Sequence, residues 1–138
     1  MTYDLDRFLA AQRGVYESVV GELRRGRKTG HWMWFIFPQV KGLGSSEMPQ
    51  RFAIGSLGEA RAYLAHAVLG ARIRECIRLV LATRARTAEE IFGPTDAKKL
   101  RSSMTLFHRA SPHDPLFSRV LERFYRGAPD EGTEAMLG

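Results

Sequence analysis

Leu5, Phe8, Leu9, Val15, Tyr16, Val19 and Leu23, with Gln12 among them, recur at the three-and-four spacing of one helical face. The spacing predicts a first long helix, capped by Asp4 and stopped at Gly26. Arg24 and Arg25 in its last turn complement the negative end of the helix dipole, so they need no ligand to explain them. Arg27 and Lys28, beyond the glycine, are freer to face one. From Trp32 to Phe37 every residue is apolar, and no period can show itself. A short buried helix and a buried strand both fit this run, which Pro38 ends. Gly42-Leu43-Gly44-Ser45-Ser46 then has the composition of a loop whose backbone turns or approaches something closely.

Ser56-Leu57-Gly58-Glu59 and Thr87-Ala88-Glu89-Glu90 both have the form of a capping box, which makes Glu59 and Glu90 helix caps rather than catalytic carboxylates. A helix through Tyr63 and Leu64 follows the first box, and Ile91, Phe92 and the stop Gly93-Pro94 follow the second. Between them Leu69, Ile73, Cys76, Ile77 and Val80 give another long apolar face. Asp96 is placed to cap a helix with Leu100, Met104 and Phe107 on one stripe, Lys99 and Ser103 beside it, and Ser102 on a neighbouring face. Asp114-Pro115 starts a helix through Leu116, Phe117, Val120, Leu121 and Phe124. Gly127-Ala128-Pro129-Asp130 breaks it, and a short tail helix begins after Asp130. No stretch alternates convincingly. The pattern therefore predicts a mainly α fold over residues 1–138, a single compact domain of about six or seven helices with at most a small β element.

Composition narrows the function classes. A chain of 138 residues with 44% hydrophobic and 26% charged residues is of single-domain size and globular balance. No window approaches the ~20 apolar residues of a membrane span, and the N-terminus lacks a basic segment leading into an apolar one, so a cytoplasmic protein without a membrane partner is expected. The lone Cys76, set among Ile73, Ile77 and Val80, reads as a small buried hydrophobe. A net charge of +6 favours an anionic partner: a nucleotide, another phosphorylated metabolite or nucleic acid. His31, His66, His108 and His113 are scattered without paired ligand spacing, so no metal is assigned, and no cofactor is called for. Gly42-Leu43-Gly44 lacks the third glycine or Gly-Lys-Ser of the phosphate-binding fingerprints. No nucleophile elbow is present.

Candidate chemistry then rests on Lys28, His31, Trp32, Trp34, Gln39, Lys99, Ser102, Ser103 and Thr105, with Asp130 and Thr133 near the C-terminus. A lysine at the edge of an apolar pocket loses ammonium hydration and becomes able to attack a sugar aldehyde or anomeric carbon; Lys28 and Lys99 are the candidates, and solvated surface lysines are the alternative. His31 is a candidate acid or base, because imidazole titrates near neutrality, or else ties down the loop before the aromatic run. Trp32 and Trp34 offer faces for a base, but two residues apart they share a face only on a strand.

The segments Lys28-Thr29-Gly30-His31-Trp32-Met33-Trp34-Phe35-Ile36-Phe37-Pro38-Gln39, Gly42-Leu43-Gly44, Lys99-Leu100-Arg101-Ser102-Ser103-Met104-Thr105-Leu106-Phe107 and Gly127-Ala128-Pro129-Asp130 give the chain a resemblance over nearly its whole length. It resembles the chiefly bacterial domain of unknown function numbered eighteen-ten, some members of which carry the label calpastatin. Calpastatins are disordered inhibitors, which the helical faces and caps here do not fit. More distantly, the chain resembles the YbiA-like or NADAR superfamily of small, mainly helical proteins that cleave N-glycosidic bonds. That group's motif, a Glu shortly before a Gln and a Lys-Phe, has only a degraded counterpart in Glu47-Met48-Pro49-Gln50-Arg51-Phe52. The resemblance implies an N-glycosidase-like hydrolase of a phosphorylated ribosyl or ADP-ribosyl substrate; the alternative is a non-catalytic nucleotide or nucleic-acid binding module of the same fold. On the first expectation Lys99 or His31 serves the anomeric centre, Trp32 or Trp34 stacks on the base, and Lys28 and Arg27 meet phosphate. Gln39, Gly42, Gly44, Ser102, Ser103 and Asp130 complete the expected ligand contacts. Nothing in the sequence indicates an oligomeric state.

Overall fold

In the computed structural model, which describes residues 2–43 and 50–138, the first apolar stripe makes two helices rather than one, α1 (Asp6–Gln12) and α2 (Tyr16–Arg24). Gly14, at φ +80°, turns the chain between them, and Leu5 rather than Asp4 stands at the N-cap of α1. The stripe could not reveal the break, because Phe8 and Gln12 before it and Val19 and Leu23 after it are all buried. Gly26 does end α2, at φ +73°.

The aromatic run forms one helical turn, α3 (Met33–Ile36), flanked by the buried Trp32 and Phe37. Beyond Pro38 the chain pairs briefly with a later segment: Val40 and Ile54 form an isolated parallel bridge, in which Ile54 N donates to the Gln39 carbonyl at 2.8 Å and Lys41 N to the Ile54 carbonyl at 2.8 Å. This bridge is the small β element.

Both capping boxes form. Ser56 Oγ accepts from Glu59 N at 3.1 Å to start α4 (Leu57–Ala65), and Thr87 Oγ1 accepts from Glu90 N at 3.2 Å to start α6 (Ala88–Ala110). In each, the carboxylate reaches one residue further back than the motif requires: Glu59 accepts from Gly55 N and Glu90 from Arg86 N. Between them His66 Nδ1 caps α5 (Ala67–Ala82) by accepting from Val68 N and Leu69 N. The break expected at Gly93-Pro94 is present inside α6: Gly93, at φ +78° and ψ 165°, is not helical, and a second helical segment follows from Pro94. Asp96 lies in the first turn of that segment rather than ahead of it, and its carboxylate meets other partners. Asp114 caps α7 (Pro115–Tyr125), which Arg126 and Gly127 end in left-handed conformations, and Asp130 caps α8 (Glu131–Leu137). Among the described residues the helices number eight, with α6 counted once across its break; Gly14 adds one by splitting the first stripe, and the aromatic run adds the turn α3.

Helix α6 packs against α4, α7 and α8, while α5 packs against α2, α4 and α7. Phe8, Phe37, Tyr63, Phe107 and Phe117 are fully buried in the core these helices share. Cys76 is buried too, and desolvation pushes its thiol up to about 12, which leaves it unreactive in the folded chain.

Candidate functional site

The loop that carries the candidate residues is fixed by a side chain the sequence reading passed over. Glu22, buried on α2, accepts hydrogen bonds on Oε1 from Thr29 N at 2.6 Å, Gly30 N at 2.8 Å and Trp32 Nε1 at 3.0 Å. Burial alone would raise its pKa, but the hydrogen bonds from Gly30, Thr29 and Trp32 outweigh this and hold the carboxyl below its ordinary range. The available signal was a charged residue three positions after Val19, on the apolar face itself.

Anchored in this way, Lys28 points inward. Its side chain is only 7% exposed, and its Nζ lies 2.7 Å from Asp96 Oδ2, 2.5 Å from the Gly30 carbonyl and 5.1 Å from the centre of the Trp32 ring. The other carboxylate oxygen, Oδ1, lies 3.4 Å from Lys99 Nζ, which in turn sits 4.6 Å above the Trp34 ring. One carboxylate is thus shared by two ammonium groups, each resting on an indole, and the trio keeps one net positive charge. Lys28 is tied tightly and Lys99 loosely.

Lys99 also faces a surface cleft of ≈ 580 Å³, bordered by Gln39, Leu43, Lys98, Arg101, Ser102, Tyr125 and Asp130 among others. Lys98, Lys99 and Arg101 oppose Glu89 and Asp130 there, so the cleft as a whole is cationic. Arg101 is steadied by donating from Nε to the Ala128 carbonyl at 3.0 Å and by lying over the Tyr125 ring. Gln39 borders both this cleft and a small recess of ≈ 10 Å³ beside Trp34, Gly42 and Phe52, which is room for about one water. Trp34 Nε1 is buried with no hydrogen-bond partner among the described residues, an unusual state for an indole donor.

Of the expected site residues, the structure brings Lys99, Gln39, Ser102 and Asp130 to one cleft, with Trp34 and Gly42 around the adjoining recess and Lys28 behind Asp96. Two expected contacts are corrected. Trp32 is 3% exposed, covered by Phe37, Phe92 and Lys28, and has no face for a ligand ring. Ser103 is completely buried, and its hydroxyl has no partner among the described residues. Ser102 Oγ donates to the Lys98 carbonyl at 3.2 Å. Asp130 borders the cleft, yet its Oδ2 is taken by Thr133 N and Oγ1 at 2.9 and 2.7 Å. His31 is exposed on the loop and is not part of the cleft wall. Gly44 lies outside the described residues, as do Glu47, Met48 and Pro49. No described helix is long and apolar enough to cross a membrane.

Fold and cleft together define a small, mainly helical domain with a cationic, tryptophan-backed cleft. The chain belongs to the family described as protein of unknown function (DUF1810), whose profile matches residues 2–137. It is similar to the crystal structure of the conserved hypothetical protein Rv1873 from Mycobacterium tuberculosis, at 55% identity and a TM-score of 0.96, over 98% of this chain and 96% of that one. Comparison with curated proteins gives no match.

Proposed function

We propose that the cleft receives a phosphorylated ribosyl group, alone or within a nucleotide such as ADP-ribose, and that Lys99 acts on its anomeric carbon to hydrolyse an N-glycosidic bond. The observation that carries this reading is the position of Lys99: its ammonium lies on the Trp34 face and opens onto a cleft that also holds Lys98 and Arg101. Lys98 and Arg101 meet phosphate oxygens, and Gln39 and Ser102 face the sugar hydroxyls. The Lys99 ammonium gives one proton to Asp96, 3.4 Å away, its amine adds to the anomeric carbon as the carbon–nitrogen bond to the base breaks, and a second N–H proton passes to the departing nitrogen. Water then displaces the lysine, returning the amine and leaving a sugar hydroxyl. Of the two candidate catalytic side chains the geometry favours Lys99, since His31 stands away from the cleft.

The reading of a binding module without turnover has an observation of its own. Among the described residues Asp130 at the cleft is engaged by Thr133 and Asp96 behind it by lysines, which leaves the exposed Glu89 to activate a water. Thermal shift against ADP-ribose, NAD, ribose phosphates and a short oligonucleotide separates the cases, followed by chromatographic detection of released base. Stabilisation by ADP-ribose or a ribose phosphate, with base release abolished in Lys99→Ala, is the expected result. Stabilisation without release leaves the binding module. A shift with the oligonucleotide alone points to nucleic acid, and no shift at all removes the cleft from consideration.

A further inference from the structure

We infer that a second groove, between α1 and α2 and facing the start of α5, binds a small monoanionic carboxylate with an apolar body. The groove measures ≈ 580 Å³ and shares no bordering residue with the first cleft. It exists because the chain breaks its first helical stripe at Gly14, between the half that carries Leu9 and Gln12 and the half that carries Tyr16 and Glu17.

Arg72 is the receptor group. Its Nη1 donates to Gln12 Oε1 at 3.1 Å, and its guanidinium lies 4.5 Å from the centre of the Tyr16 ring. Both supports are themselves fixed: Gln12 is 1% exposed and donates from Nε2 to the Phe35 carbonyl at 2.8 Å, while the Tyr16 hydroxyl is bonded to Glu75. Arg7, Arg74 and Arg109 each meet a carboxylate, but among the described residues Arg72 meets none, and its Nε and Nη2 have no hydrogen-bond partner there. A half-buried guanidinium held on one nitrogen and one face, with its remaining edge free, is preorganised for a planar two-oxygen anion.

The surroundings define the rest of the ligand. Arg13 and Arg72 oppose Glu17, so the groove carries one net positive charge and matches a monoanion better than a dianionic phosphate. Leu9 and Val68 form an apolar wall. Val68 is one of the three large hydrophobic side chains exposed among the described residues, and it borders this groove. An aliphatic chain attached to the carboxylate would cover it.

The test is an NMR titration of the 15N-labelled protein with hexanoate, with hexanol and inorganic phosphate as comparisons. Hexanoate is expected to shift the amides of residues 9–17 and 68–72 saturably, with phosphate weaker and hexanol without saturation. Arg72→Gln should weaken hexanoate by about tenfold or more, the scale of losing a charge-assisted pair. Because Arg72 touches the buried Gln12, a second variant guards against misfolding: Val68→Glu, at an exposed position, places a carboxylate on the apolar wall and should weaken hexanoate with an unchanged far-ultraviolet spectrum. Lys99→Ala should bind hexanoate normally. The inference fails if hexanoate gives no saturable shift, if hexanol or phosphate binds as well, if both groove variants keep full affinity, or if Lys99→Ala loses the binding.

Discussion

Glu22 satisfies two loop amides and an indole N–H that no helix or sheet supplies with partners, so its ionised form is worth more in the folded chain than in the unfolded one. Its folded pKa lies below the ordinary 4.5, and the stability it contributes is therefore complete above that value and lost as pH falls through the lower folded one. Glu22→Gln should cost about 2 kcal/mol at neutral pH, the scale of hydrogen bonds to a buried charge, and should flatten the loss of stability on acidification. Urea unfolding of both proteins across the acid range checks this, and parallel pH slopes would clear Glu22 of the role. Asp96 poses the converse problem. Its removal leaves the 7%-exposed Lys28 with only the Gly30 carbonyl and the Trp32 face for company. Asp96→Ala is expected to cost about 3 kcal/mol, as breaking one side of a buried pair does, while Lys28→Met combined with Asp96→Leu should recover much of it. A double-mutant cycle measures the coupling, and additive effects would mean the two groups ignore each other. Neither carboxylate was legible as part of the site, for different reasons. Asp96 looked like a cap because it follows Gly93-Pro94, and Glu22, though it falls on the apolar face of α2, shows its partners only once the loop at Thr29 and Gly30 folds back onto it. Lys99, Gln39 and Ser102, singled out by side-chain chemistry alone, lie at one cleft, with Trp34 at the recess beside it.

Helix starts were read well because a cap is a local device: Ser56, Thr87, Asp114 and Asp130 each accept from a backbone N–H within three residues. A break that leaves both sides of a stripe buried was read less well, since it depends on what lies across the core. Gly14 makes such a break, whereas the stop read at Gly93-Pro94 is present as the non-helical Gly93. The Val40–Ile54 bridge joins segments with no alternation to betray them. Two glycines separate conformational from packing constraint. Gly14 sits at φ +80° with nothing near the site of a side chain, so Gly14→Ala should cost about 1 kcal/mol from backbone strain alone. At Gly70 a methyl would run into the Leu64 carbonyl at the crossing of α4 and α5 and crowd Arg74, whose Nη1 donates to the Leu64 and Gly70 carbonyls at 3.1 Å each. Glycine to alanine within a helix normally stabilises, by up to about 1 kcal/mol. Here the crossing should reverse the sign and destabilise by about 1–3 kcal/mol, as overpacking does. Thermal melts of both variants decide it, and a stabilised Gly70→Ala would mean that the two helices part without cost.

At the scale of the whole molecule, the buried side chains belong to one core cluster, and the cysteine lies inside it. Cys76 is 0% exposed on α5, between the Tyr16 hydroxyl 3.8 Å from its sulfur and the apolar interior, with its thiol pushed up to about 12 by burial. A thiol reagent therefore has no route to it in the native state and labels it only when the chain opens. If α5 can be freed only by dismantling the core, the labelling rate in low denaturant should fall on the line extrapolated from global unfolding, with the same dependence on urea. Labelling faster than that line, with a shallower urea dependence, would show α5 opening by itself. The same thiol reports on both candidate sites, because anything that binds only the folded chain lowers the open population by 1 + [L]/Kd and slows labelling by that factor. ADP-ribose in the first cleft and hexanoate at Arg72 should each slow the reaction, and Lys98→Ala should weaken the first effect while sparing the second. A ligand that shifts the melting temperature without slowing Cys76 would be stabilising some part of the fold from which α5 is already uncoupled.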